Sequence, residues 1–290
     1  MKKFLPFLLI MIIVITSCEK EYSAENLDNG NDQIVGLDCR ISKIVYTDTA
    51  GTAATGHGTG LGSIAADINA LDIVTMITRF DSLSNTIEFI GTPTYTNDTV
   101  YINPDEYFVV DASKRIAKLH GLVDPTDPFS LQFDQVYVYN ASGYLVMKNY
   151  FLASFPTVPL YRVDYIYDGG NLVRMTRTNI GTGDLDVDAD LTYHNTIIPK
   201  RYIYIFPDEN AYADYTQFFN FGNRNRNAIK KMVVRNYDPG NVVRDSAVST
   251  FSNYIMSRDT YIFSVQMAGD PQRSIPALAG KLSFSYHCNN

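Results

Sequence analysis

Tryptophan is missing from this 290-residue chain, histidine occurs only four times and cysteine three times. These gaps exclude a good deal. His57, His120, His194 and His287 lie far apart, and none stands at zinc-ligand spacing from a cysteine or another histidine. No Gly-x-Ser-x-Gly elbow accompanies them, so nothing reads as a hydrolase nucleophile with its base. The glycine-rich stretch from Gly51 to Gly62 has no lysine, lacks the Gly-Lys-Ser/Thr of a phosphate cradle, and reads as a loop. No cofactor is implied. Basic character is also scarce, with 24 Lys and Arg against 31 Asp and Glu and a formal charge of −7. The densest positive stretch, Arg224, Arg226, Lys230, Lys231 and Arg235, is interleaved with asparagine. It does not reverse the acidic balance, so nucleic acid is not an expected partner.

One apolar run is present. After Met1-Lys2-Lys3 it extends from Phe4 to Ile15, broken only by Pro6. Two positive charges before a short apolar core are the layout of a secretory signal, since the charges stay behind while the core enters the translocon. A spanning helix needs roughly 20 apolar residues, so this run is too short to serve as one comfortably. It ends in Ile15-Thr16-Ser17-Cys18, which resembles a bacterial lipobox. That resemblance implies removal of residues 1–17, lipid on the Cys18 sulfur and acylation of the new amino terminus. Several buried acyl chains, at about 0.8 kcal/mol per CH₂, make a durable anchor in a lipid bilayer. Maturation would remove Lys2 and Lys3 and move the charge from −7 to −9.

Residues 18–36 follow as a polar stretch that opens with Glu19-Lys20-Glu21 after Cys18. Such composition buries too little apolar surface to offset its ordering entropy and reads as a flexible tether. Charged residues just after the cysteine resemble the export signal of Bacteroidetes lipoproteins. The resemblance implies an outer-membrane, lipid-anchored protein facing the cell exterior.

Two cysteines remain, Cys39 and Cys288, in the first and last predicted strands. An oxidising compartment favours pairing them. The bridge would close almost the whole folded part into one loop, worth on the order of 4–5 kcal/mol in the chain-entropy model. The alternative is two unpaired buried thiols.

From residue 37 onward the apolar pattern has period two far more often than 3.6. The fold class expected is all-β: an antiparallel array of β-hairpins forming one extended or curled sheet with little helix. Strands are predicted at Arg40–Tyr46, Ile73–Phe80, Tyr107–Val110, Gln135–Tyr139, Tyr161–Tyr167, Lys200–Phe206, Lys230–Asn236 and Tyr261–Met267. A short helix is predicted near Ala65–Leu71. No Pro/Gly/Ser linker divides residues 37–290, which read as one domain.

A loose repeat runs through it. Tyr137-Val138-Tyr139-Asn140-Ala141-Ser142-Gly143-Tyr144-Leu145 has the form of Tyr165-Ile166-Tyr167-Asp168-Gly169-Gly170-Asn171-Leu172. Each is an aromatic strand, a turn opened by Asn or Asp, a glycine and a return strand. Weaker copies are predicted from Phe80-Asp81, Val110-Asp111 and Phe221-Gly222. These hairpins resemble the YD-type repeats of Bacteroidetes outer-membrane lipoproteins of unknown function. Cys39-Arg40-Ile41 at the start and Tyr286-His287-Cys288 at the end resemble the same family. The resemblance implies fold and location and brings no catalytic residue.

Three groups of candidate residues remain. Asp184, Asp186, Asp188 and Asp190 alternate with apolar residues, and Asp184, Asp186 and Asp188 have the oxygen-rich spacing that opens a calcium loop. Ala189 and Asn195 stand where such a loop needs Gly and Glu, so a solvated strand face is the plainer expectation. Thr49, Ser82, Thr99 and Ser246 sit in Asp-Thr/Ser-apolar tripeptides that resemble the O-glycosylation acceptor of exported Bacteroidetes proteins. Outward tyrosines on hairpins offer stacking platforms for sugars or peptides. The function expected is a surface-exposed, non-enzymatic binding or scaffolding module whose ligand is a glycan or an envelope protein. The alternatives are an accessory glycan-capture protein of a nutrient-uptake system and, less favoured, a hydrolase using two carboxylates.

Overall fold

A computed structural model describes residues 39–47, 62–81, 86–122, 130–207, 215–257, 260–269 and 280–288. Seventeen strands follow one another among them. They are β1 Cys39–Thr47, β2 Gly62–Ile68, β3 Val74–Asp81, β4 Thr86–Gly91, β5 Thr94–Tyr95 and β6 Thr99–Asn103. Then come β7 Glu106–Val110, β8 Ile116–Leu122, β9 Gln132–Tyr139, β10 Leu145–Leu152, β11 Tyr161–Asp168 and β12 Asn171–Asn179. The last five are β13 Leu185–Tyr193, β14 Ile229–Asp238, β15 Val242–Met256, β16 Ile262–Gly269 and β17 Gly280–Cys288. Among the described residues, helix is confined to a single 3₁₀ turn, Tyr215–Phe218.

Every ladder is antiparallel and joins chain neighbours, and β17 pairs back onto β1, so the sheet curls on itself. It stays open between β4 and β5, where Gly91 lies against the Ile102 backbone of β6. At the β1–β17 seam Cys39 faces Cys288, with an S–S distance of 2.06 Å.

Period-two patterning sets which face turns inward. Strand β13 buries Val187, Ala189 and Leu191 and turns Asp186, Asp188 and Asp190 to the other face. Strand β11 buries Val163 and Tyr165 and leaves Arg162 and Ile166 exposed. The segment expected as a helix is the end of β2 and the start of the turn after it instead. Ile64 and Ala66 are buried at spacing two, and strand pairing on both sides overrides the helix propensity of Ala65–Leu71.

Four hairpins share one turn pattern, Ser257 opening one of them with its hydroxyl as acceptor. Asn69, Asp111 and Asn140 each donate their backbone N–H to the carbonyl four residues on and accept from the N–H three residues on. Their side-chain oxygens also take the amides of Ile73, Arg115 and Tyr144. The fourth turn residue adopts positive φ, at Asp72, Lys114 and Gly143. Asn and Asp suit the first position because their side chains mimic a backbone acceptor.

Tyrosines fasten the same end of the sheet. Tyr139, Tyr193, Tyr254 and Tyr286 each donate a phenol hydrogen bond to a carbonyl 21–25 residues earlier, on Ile116, Leu172, Ile229 and Ile262. Tyr95 does the same to Val74. The first four bonds each tie the end of one strand to the start of the strand before it, and the Tyr95 bond ties β5 to the start of β3. Much of the tyrosine content therefore serves the frame.

The interior is filled by the connection from β13 to β14. Tyr202, Ile203, Tyr204, Ile205, Phe206, Phe218 and Phe221 are all buried. Lys200–Phe206 is therefore not a sheet strand, because a strand with one wet face cannot bury five consecutive side chains. Aromatic contacts reach the surrounding sheet in several directions: Phe221 to Phe108 and Tyr137, Phe206 to Tyr165, and Tyr202 to Tyr254 and Phe284. Each such ring contributes about 1.5–3 kcal/mol of burial, taken as an upper estimate.

The same connection then crosses the hairpin turns one after another. Asn220 bonds to Ile116 and Lys114, Asn223 to Ser142 and Gly143, and Arg226 to Gly170. The step is three residues per hairpin. An extended chain advances about 3.3 Å per residue, and two strands occupy about 9.6 Å of sheet, so the spacings match. Asn225 accepts from the Leu172 amide, and Asn227 pairs with Asn171. Phe221-Gly222, expected as another hairpin, belongs to this crossing segment instead.

Candidate functional site

Between β7–β10 and the interior segment lies a cavity of about 260 Å³. Its sheet wall carries Glu106, Phe133, Gln135, Tyr137, Lys148 and Tyr150, and its inner wall carries Phe206, Tyr215, Thr216 and Phe221. Drug-sized sites start near 300 Å³, so a small ligand is the scale. Lys148 is 1% exposed, with its Nζ 4.9 Å from the Tyr150 ring centre and 5.7 Å from that of Phe206. Aromatic faces carry negative quadrupole charge and so help hold a buried ammonium. The Tyr137 hydroxyl donates to Gln135 Oε1 at 2.6 Å, and the Tyr215 hydroxyl donates to Glu106. The cavity thus combines ring faces with both donors and acceptors.

Lys148 was not readable from the alternation of β10. A bulge between Leu145 and Met147 shifts the register by one residue, turning Lys148 and Tyr150 inward where a regular strand would have presented Met147 and Asn149. Glu106 is the only carboxylate among the cavity residues, and Tyr215 occupies it. A two-carboxylate hydrolase finds no second partner there.

On the outer face, Tyr101, Tyr107 and His120 stand side by side across β6, β7 and β8. The Tyr rings are 5.5 Å apart, and Tyr107 stacks on His120 at 4.8 Å. Asp134 of β9 continues the row, bonding His120 Nδ1 at 2.8 Å and Lys118 Nζ at 2.9 Å.

The aspartates of β13 are held by arginines. Asp188 meets Arg235 at 2.8 Å and Arg174 at 3.7 Å, Asp190 meets Arg235 at 2.8 Å, and Asp186 meets Arg177 at 2.6 Å. Both carboxylates on Arg235 push its pKa up. Of the residues with calcium-loop spacing, Asp186 and Asp188 are thus engaged by arginines, and no metal-binding cluster occurs among the described residues. His120, His194 and His287 belong to separate strands or loops, and His57 lies outside the described residues. Cys18, Thr49, Ser82 and the Gly51–Gly62 loop up to residue 61 also lie outside them. Thr99 opens β6 beside an exposed turn, whereas Ser246 lies within β15 opposite Arg235 rather than in a turn.

These features define an all-β class: a curled antiparallel sheet with an aromatic interior segment and a charged outer face. No family model and no curated protein matches the chain. Among solved structures, a porin-like protein from Bacteroides uniformis aligns over 85% of this chain and 98% of its own, with TM-score 0.53 and 11% identity. A porin-like protein from Bacteroides vulgatus aligns over 86% and 99%, with TM-score 0.51 and 13% identity. The likeness is one of fold.

Proposed function

We propose that this chain is an exported lipoprotein of the outer membrane, anchored through acylated Cys18 and facing the cell exterior. In this reading its curled sheet is a non-enzymatic binding or scaffolding module of the envelope. The observation that carries the reading is the direction of the two sheet faces. A membrane-spanning barrel needs an outward apolar band and commonly has a polar lumen. Here the outer face carries Arg162, Asp164, Arg174, Asp188, Asp190 and Arg235, while Tyr202, Phe206, Phe218 and Phe221 fill the inside. The two structural neighbours are called porin-like. In this chain the interior segment takes the space a conduit would need, which favours a module over a channel.

The Ile15-Thr16-Ser17-Cys18 sequence supports the anchor. Palmitate labelling of the full chain in a lipoprotein-processing bacterium tests it. Label is expected on the native chain and lost in Cys18→Ala. Label that survives the substitution would remove the anchor.

The outer row of Tyr101, Tyr107 and His120 favours a second reading, capture of a glycan by ring stacking. Affinity electrophoresis against soluble polysaccharides should show retardation that weakens about tenfold in Tyr107→Ala, which corresponds to about 1.4 kcal/mol. Unchanged mobility in every polysaccharide would remove this reading.

A further inference from the structure

Arg224 lies in the crossing segment, and its guanidinium sits 4.2 Å above the Tyr204 ring. That ring is rigidly set. Gln217 accepts from the Tyr204 amide at 2.7 Å and donates to its carbonyl at 3.1 Å. The Tyr204 hydroxyl donates to Gly222 O and accepts from Phe221 N, both at 3.0 Å. A guanidinium resting on such a platform is held in one orientation before any ligand arrives.

Its charge is not answered by any described residue. Of the five donors a guanidinium carries, one meets an acceptor, with Nη2 donating to Gln217 O at 3.2 Å. The Nε hydrogen is buried with no partner among the described residues. No carboxylate pairs with Arg224 there either. The neighbours have the same sign. Arg40 donates to Phe218 O at 2.5 Å, the carbonyl next to the one Arg224 uses, and Arg201 also lies within electrostatic range. Burial above all pushes the Arg224 pKa below the usual arginine range; Tyr204 opposes it, and Arg201 and Arg40 add smaller lowering effects. Asp72 offsets Arg40 at 3.3 Å but is not bonded to Arg224.

A half-buried cation with no described counter-charge is unfavourable, and the unmet buried Nε donor calls for a missing partner. We infer that Arg224, with Arg40 on the neighbouring carbonyl, is a receptor for a phosphate-type oxyanion at the end of the sheet where the chain enters β1. Planar guanidinium donors match the oxygens of such a group, and a second cation adds field without occupying the same oxygens. Phosphate could come from solution or from a lipid headgroup. The inference stands independently of acylation at Cys18.

Thermal unfolding of the full chain in detergent, in chloride or inorganic phosphate at equal ionic strength, tests it. Phosphate should raise the midpoint of the native protein by about 3 °C or more. Arg224→Gln should lose the rise. Arg224→Lys keeps the charge without the fork and should keep less than half of it, which preserves the test if the glutamine variant fails to fold. A parallel arm uses dihexanoyl phosphatidic acid. Stabilisation by this lipid alone assigns the headgroup as source, and stabilisation by inorganic phosphate assigns the free anion. No effect from either, or an equal effect in both variants, overturns the site.

Discussion

Gly222 lies directly against Gly143. A methyl group at Gly222 would sit 2.3 Å from the Gly143 carbonyl oxygen and 2.9 Å from the Tyr139 ring. Gly222 also has φ +83°, and the next residue, Asn223, donates its amide to that same carbonyl at 2.9 Å. Here the interior segment passes over the β9–β10 turn. Gly222→Ala should destabilise by about 2–4 kcal/mol, lowering the unfolding midpoint by about 5–10 °C. Gly183 is a matched control, with φ +78° and nothing near its missing Cβ. Gly183→Ala should cost about 1 kcal/mol, the conformational part alone. Equal losses at the two sites would mean the close approach contributes nothing.

Asn225 is buried, and its side-chain oxygen accepts from the Leu172 amide at 2.7 Å. Asn225→Ala would leave that amide without an acceptor. The expected loss is about 1–3 kcal/mol in denaturant unfolding, with faster hydrogen exchange at Leu172. An unchanged Leu172 exchange rate would show that the crossing segment does not hold the β11–β12 turn.

Cys39 and Cys288 are 249 residues apart in sequence and joined across the β1–β17 seam. Replacing both by serine should cost up to about 4–5 kcal/mol through the freed denatured chain. Comparing unfolding midpoints with and without reductant checks this, and the serine double variant should not respond to reductant.

Burial pushes the phenols of Tyr139, Tyr167, Tyr254 and Tyr286 well above the ordinary tyrosine range. A folded pKa above the unfolded value near 10 means that the native state holds its proton longer. The stability these groups contribute is complete below pH 10 and falls as pH rises beyond it. Alkaline titration should show a steep loss of stability above pH 10. Tyr254→Phe should make that loss shallower while costing about 1 kcal/mol at neutral pH through the bond to Ile229 O.

The arginines on Asp186, Asp188 and Asp190 leave those carboxylates committed. Millimolar calcium should not shift the unfolding midpoint. Asp188→Asn should lower stability by about 1–3 kcal/mol, because Asp188 is buried and bonded to Arg235. A calcium-dependent rise abolished by that substitution would restore a metal site.

The frame was legible where alternation is regular. Val187, Ala189 and Leu191 against Asp186, Asp188 and Asp190 give the two faces of β13 directly. Asn140 and Gly143 likewise announced the β9–β10 turn by their residue types. The interior segment was not legible as such, because Tyr202–Phe206 has strand composition and only the curl of the sheet around it makes both of its sides dry. A usable sign was there in Asn220, Asn223 and Arg226, a three-residue step that alternation does not explain. The cavity was hidden for another reason. The bulge after Leu145 sends Lys148 inward, and bulges leave little trace in one sequence. Arg224 read only as part of the densest positive stretch, since its position over Tyr204 depends on folding alone.

Sedimentation velocity of residues 18–290 carrying Cys18→Ala, in detergent-free buffer, tests the filled, outwardly polar sheet most directly. A single monodisperse species with native unfolding behaviour is the expected result. Aggregation without detergent, relieved by micelles and followed by stepwise conductance in planar bilayers, would contradict it.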